Sequence, residues 1–378
     1  MDDLKMSSIP VLSAGDCIDT LTLMYKNVIN RGFELKNTPA VMLWGPPGVG
    51  KSQSIKALAN ILQYETRKRV NVTDVRLLLF NPIDLRGIPT ANEDKTLAIW
   101  LKPKIFQMDP SKDVVNILFL DEITAAPQSV QAAAYQITLD RTVGEHKLPD
   151  NCIVIAAGNR TTDKSVAYAM PKALANRLMH IEVEPNFTSW NKWAVSSGIN
   201  PMVLGFLKFK PNYLIETDVK TSTLAYATPR TWEMVSNILN TVSSDIKDVY
   251  HLVSGLVGKG VAVEFRSWCT LYSQLPNIDD IFKGRYVEVP KRPDILYALI
   301  SSMLTYAKMY KDDMIAMENS ISYAMKLSPE FSTILLKDYL YIEKDYKKKL
   351  LKIPAFSRWL SSKGKLLDEL NWYWFKKM

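Results

Sequence analysis

The chain is poor in the residues that build disulfide frameworks and zinc sites. Its three cysteines, Cys17, Cys152 and Cys269, are far apart, no CxxC pair occurs, and His146, His180 and His251 are equally scattered. This excludes a cysteine-stapled secreted domain and speaks against a structural zinc module. Long apolar runs are missing as well. Runs such as ILFL at 117–120 fall far below the roughly eighteen residues of a membrane-spanning helix. The opening MDDLKMSSIPVL lacks the basic segment and apolar stretch of a secretion signal, so no membrane association and a cytoplasmic location are expected. Neither internal repeats nor long low-complexity stretches are visible.

What is present is the composition of a folding chain. Of 378 residues, 47% are apolar and 23% charged, the balance of a globular protein, and the length calls for two or three domains. The net charge of +8 is unevenly placed. From Lys337 onward eleven Lys/Arg face five Asp/Glu, a net of +6 in the last forty-two residues, so an acidic partner would meet this tail first.

Ile18, Leu21, Met24, Tyr25, Val28 and Ile29 share one helical stripe over residues 16–32, which ends at a glycine. Buried strands are expected at AVMLW (40–44), VRLLLF (75–80), VVNILFL (114–120), CIVIAAGN (152–159) and MHIEVE (179–184), with a helix, SQSIKALANILQY, after the first. Continuous apolar strands alternating with helices predict an α/β class with a parallel sheet covered on both faces. After about Pro185 helical spacing takes over. The expected division is an α/β domain over 1–185, a helical domain over 186–275 and a basic helical extension over 276–378, with the second joint in the turn-rich stretch at 275–292.

The stretch between the first strand and its helix carries the chemistry. Gly45, Pro46, Pro47, Gly48, Val49, Gly50, Lys51 and Ser52, followed by Gln53, match the phosphate loop G-x-x-x-x-G-K-[ST] in the strand-to-helix setting that motif requires. Glycines let successive backbone N–H groups turn toward phosphates and the helix start adds its positive end. Lys51 would reach the β and γ phosphates, and Ser52 would bind Mg²⁺. ILFLDE supplies a second acidic strand end: Asp121 is placed to hold Mg²⁺ through water, and Glu122 to polarise an attacking water. A pure binding switch would not need the second acid. Asn159 ends a strand in AAGNR, either as a turn residue or as an amide beside the phosphate site; Arg177 and Arg230 read by themselves as ordinary surface arginines. Residues 81–106 look inserted, either as a solvated loop or with a short hairpin around ANED.

Taken in order, GPPGVGKS, ILFLDE, AAGN, PKALANR and TPRTWE resemble the nucleotide-binding module of AAA+ ATPases. DLRGIP and the hairpin-like LDRTVGEHKLPD narrow the resemblance to the MoxR-type branch, which carries an insert in its second helix; the likeness runs from about residue 36 to 240. It implies a P-loop AAA+ core with a parallel sheet flanked by helices, then a helical lid and a helical C-terminal extension, and an ATP hydrolase using Mg²⁺. On that resemblance Asn159 senses the γ phosphate, Arg177 is a finger reaching the neighbouring subunit's site, and Arg230 is a lid arginine contacting the nucleotide of its own subunit. A finger implies a homo-oligomer, in this family a ring usually of six. Trp190, Trp193 and Ala194 fit WxxWA, and Thr228, Pro229, Arg230, Trp232 and Glu233 fit TPRxWE. Members with those patterns resemble remodelling or assembly ATPases paired with a von Willebrand factor A-type partner. Chemically, the tryptophans read as core anchors of the lid.

Two rival readings stay open. The basic tail, with Trp372, Tyr373, Trp374 and Phe375 among lysines, is either an amphipathic closing helix or a surface for nucleic acid or a partner, and GNRTTDKS faintly resembles the sensor region of nucleotide-driven restriction motors. The other rival holds nucleotide without turning it over. A guanine-reading NKxD motif is not evident.

Overall fold

The computed structural model describes residues 9–160, 170, 175–216 and 224–362. The aromatic tail at 372–375, most of the GNRTTDKS stretch and the first part of PKALANR lie outside the described residues. The chain folds as two compact units, Met1–Ser189 and Trp190–Met378.

The first unit is a six-stranded sheet. Its strands are β1 (Val11–Ser13), β2 (Val41–Trp44), β3 (Arg69–Arg76), β6 (Val114–Asp121), β9 (Cys152–Gly158) and β10 (Met179–Glu184), in the spatial order β1-β10-β2-β9-β6-β3 with every pairing parallel. Two antiparallel hairpins, β4 (Ile88–Ala91) with β5 (Ala98–Leu101) and β7 (Thr142–Val143) with β8 (His146–Lys147), stand outside it. Every residue of β2 and β9, and all of β6 up to Leu120, is buried, because a central parallel strand is covered on both faces. Helix α4 (Gln128–Asp140) presents Val130, Ala133, Ala134 and Ile137 to the cluster built on Met42, Leu118, Leu120, Val154 and Ala156. At about 1.5–3 kcal/mol for each large apolar side chain, this layer fixes where the strands end, and so where the functional residues sit.

Helix α1 (Ala14–Asn30) packs on α2 (Lys51–Thr66) and buries Leu21 and Tyr25 of the expected stripe; Ser13 caps it by accepting a hydrogen bond from Asp16 N at 3.1 Å. The second strand departs from expectation. It is RVNVTDVR at 69–76, while Leu77–Leu79 of the expected VRLLLF form a 3₁₀ turn, α3 being the short helix Pro82–Arg86 that follows. As the sheet edge, β3 alternates polar and apolar residues, which breaks the continuous run by which a central strand is recognised. β1 was not expected from the sequence at all; three residues carry too little pattern.

The second unit is helical, with no strand among its described residues. Phe206 lies at the centre of one aromatic cluster, with ring centroids 5.4 Å from Tyr213, Trp232 and Phe265. Trp190 and Trp232 are both buried, and Trp232 Nε1 donates to Tyr213 O at 2.7 Å. Buried Lys208 forms an ion pair with buried Asp338, whose other oxygen accepts from Asn191 Nδ2 at 2.9 Å. The joint expected at 275–292 lies inside this unit, ahead of the helix Pro293–Met309. Among the described residues, no helix is long and apolar enough to cross a membrane.

Candidate nucleotide site

Parallel strands that end in register bring their C-terminal residues to one edge of the sheet, where open α/β folds bind ligands. Here Trp44 pairs with Gly158, and Leu120 with Ala156, so the loops after β2, β6 and β9 emerge side by side. The loop after β2 is the expected phosphate loop. Gly45, Gly48 and Gly50 have φ of 148°, 81° and 100°, and a Cβ on Gly45 would stand 2.3 Å from Val183 O of β10. No other residue fits at Gly45 without moving a strand of the sheet. Pro46 and Pro47 stiffen the loop, Val49 anchors it in the core, and Gly50 is the N-cap of α2, whose first turn carries Lys51, Ser52 and Gln53.

Buried Lys51 lies along that loop. Its Nζ donates to Pro46 O and to Asn159 Oδ1, both at 3.1 Å, and also to Gly45 O. Ser52 Oγ donates to Asp121 Oδ2 at 2.7 Å, and Asp121 Oδ1 accepts from Glu122 N at 2.9 Å. The expected residues on the three strand ends are thus brought together: Lys51 with Asn159, Ser52 with Asp121, and Glu122 next to Asp121. Glu122 adopts φ 58°, rare for a side-chain-bearing residue, in a turn where its carbonyl accepts from Ala125 N at 3.0 Å. Strained conformations of this kind concentrate at functional sites.

Three supports escaped the sequence reading. Thr124, almost fully buried, accepts from Asn159 N at 3.0 Å and donates to Asn159 O at 3.2 Å, pinning the backbone of the amide that meets Lys51. Arg160, the next residue, forms an ion pair with Glu182, a buried carboxylate on β10. Asp74 on β3 is a third carboxyl near the acidic strand end; burial, and then the charge of Asp121, push its pKa up. None of these has a motif to announce it.

The two arginines lie on other segments of the chain. Arg177 is exposed in a turn closed by Leu178 N donating to Ala175 O at 3.2 Å. Arg230 lies in the second unit at the start of the helix Pro229–Thr241. Thr228 caps that helix by accepting from Thr231 N at 3.1 Å, Pro229 takes its first position and Trp232 its buried face. Folding therefore accounts for Thr228, Pro229 and Trp232 of the TPRxWE pattern, while Arg230 is exposed.

An oxygen-only set of a serine hydroxyl and a carboxylate 2.7 Å apart at the helix start suits a hard cation such as Mg²⁺ rather than zinc. Residues 40–180 match the family model described as the ATPase family associated with various cellular activities (AAA). Those residues belong to the AAA ATPase family. The segment contains the sheet edge just described, within a parallel sheet flanked by helices. The replication factor C large subunit of Pyrobaculum calidifontis is 48% identical over 46 residues, a match spanning 12% of this chain and 11% of that protein. Similar solved structures include C. elegans PCH-2 (13% identity, 69% of each chain, TM-score 0.35). A point mutant of Thermotoga maritima RuvB (15% identity, 77% of this chain and 83% of that one, TM-score 0.33) is another. So is a protein from Cytophaga hutchinsonii (13% identity, 86% and 92%, TM-score 0.32).

Proposed function

We propose that the chain binds ATP with Mg²⁺ at this sheet edge and hydrolyses it, in a ring of identical subunits that remodels or assembles a protein client. The observation that carries the reading is the meeting of Lys51 with Asn159 and of Ser52 with Asp121, with Glu122 alongside. Backbone N–H groups of Gly48 to Lys51 and the start of α2 bind the phosphates, and Lys51 neutralises the terminal one. Ser52 directly, and Asp121 through water, would hold the Mg²⁺, whose chemistry is to offset phosphate charge. Glu122 orients and deprotonates water for attack, and Asn159 holds the attacked group in line.

Arg177 then acts in trans. It is exposed and outside the group its own chain assembles, as a residue serving a neighbouring copy would be. Arg230 is the candidate lid contact, and the WxxWA and TPRxWE patterns favour a von Willebrand factor A-type partner. The test is ATP turnover per protomer, which rises with protein concentration and with the partner and is lost in Arg177→Ala. The net +6 of the last forty-two residues supports one alternative, a motor stimulated by nucleic acid. About tenfold stimulation by DNA, weakening with salt, selects it over the client reading.

A further inference from the structure

A partly buried hydrogen-bonded chain joins the phosphate loop to the turn that carries Arg177. Trp44, the residue before Gly45, donates its indole Nε1–H to His180 Nδ1 at 2.9 Å, with the two rings stacked at 6.0 Å. On its other side His180 Nε2 is 2.7 Å from Ala175 O, the carbonyl that also closes the Ala175–Leu178 turn. An indole N–H can only donate, so Nδ1 must accept; Nε2 then carries the proton and donates to Ala175. The imidazole is fixed in one tautomer by two partners on opposite sides. Both belong to candidate machinery: one borders the loop of this subunit's site, the other holds the turn that presents Arg177.

We propose that His180 is a positioning residue that sets Arg177 for its neighbour, with Trp44 as its fixed anchor. The inference rests on the reading of Arg177 as a residue acting in trans. Leu178 is buried and Met179 begins β10 by donating to Ala40 O at 2.9 Å, so the turn is anchored after Arg177, and His180 anchors it before. Without that clamp the guanidinium loses its fixed starting point, while Lys51, Ser52, Asp121 and Asn159 keep every bond they make with one another.

The test uses full-length chains in mixed assemblies. Glu122→Gln keeps its finger but lacks its water-activating acid; Arg177→Ala keeps its site but lacks the finger. Their mixture sets the reference turnover, and His180→Phe, which keeps a ring against Trp44 and removes both hydrogen bonds, is added to one component at a time. Added to the Glu122→Gln component, it should lower turnover on the order of tenfold, short of the roughly hundredfold that a 1 Å misplacement can cost. Added to the Arg177→Ala component, it should leave turnover within twofold of the reference. Loss in the second arrangement alone, equal loss in both, or none in either overturns the inference. A reference mixture with no turnover overturns the trans reading itself. Circular dichroism checks folding, and His180→Leu serves in the same comparison if the Phe variant does not fold.

Discussion

Gly158, the last residue of β9, gives a quantitative check on how tightly the site is built. A Cβ there would stand 2.7 Å from both Thr124 Oγ1 and Thr124 Cγ2, and 2.8 Å from Met42 Cε. Met42 can swing its methyl away, but Thr124 is β-branched and holds Asn159 by two hydrogen bonds, so it cannot yield without releasing them. Gly158→Ala should therefore cost about 1–3 kcal/mol in overpacking. One weakened hydrogen bond adds about 1 kcal/mol, for a total of about 2–4 kcal/mol. In a unit of 189 residues that lowers the unfolding midpoint by roughly 4–16 °C. ATP turnover should fall with it, because the displaced segment carries the amide that meets Lys51. Gly255, inside the helix Ile246–Val257 with open space where a Cβ would go, is the control. Gly255→Ala should gain about 0.5–1 kcal/mol. Thermal unfolding by circular dichroism and a phosphate-release assay read both variants. A Gly158→Ala protein with an unchanged midpoint and full turnover would refute the packing argument.

Other expectations follow from the same geometry. Glu122→Gln should lower turnover about 10²–10⁴-fold while a fluorescent ATP analogue still binds, as titration with the analogue would report; lost binding would point instead to a structural role for the turn. Asp338→Asn leaves Lys208 buried without its carboxylate and should cost roughly 3–5 kcal/mol in urea unfolding, whereas a cost under about 1 kcal/mol would mean that the pair is hydrated. Burial pushes the Cys17 and Cys152 thiols up to about 12, and that of Cys269 up as well, so iodoacetamide at pH 8 should modify all three only after denaturation. Their neutral forms are favoured in the folded state. The stability they contribute is therefore complete below about pH 8.5, where unfolded thiols begin to ionise, and is lost as pH rises from there toward 12. Unfolding midpoints that stay flat between pH 8 and 10 would contradict it.

The phosphate loop and the acidic strand end were legible in the sequence because each is local. The first is a fixed spacing of glycines and a lysine, and the second is an unbroken apolar run ending in Asp121 and Glu122. The hairpin around ANED was legible for a similar reason: Asn92 Oδ1 accepts from Thr96 N at 2.8 Å and Leu97 N at 3.1 Å, which is turn chemistry written in adjacent residues. The edge strand was misplaced because one exposed side removes the apolar run, while Leu78 and Leu79, apolar but exposed, imitate one. Outside the motifs, contacts between residues distant in the chain left no trace. Trp44 meets His180 across 136 positions, and Thr124 meets Asn159 across 35, and neither spacing marks the partner. What makes Gly158 obligatory is likewise a neighbour on another loop.

The most direct measurement of the central claim is ATP turnover in an equimolar mixture of Glu122→Gln and Arg177→Ala chains. Each alone should be inactive, and the mixture should recover hydrolysis, because an Arg177→Ala subunit offers an intact site to the intact arginine of its neighbour. A silent mixture, or an Arg177→Ala protein that hydrolyses ATP at the full rate by itself, would contradict an active site shared between copies.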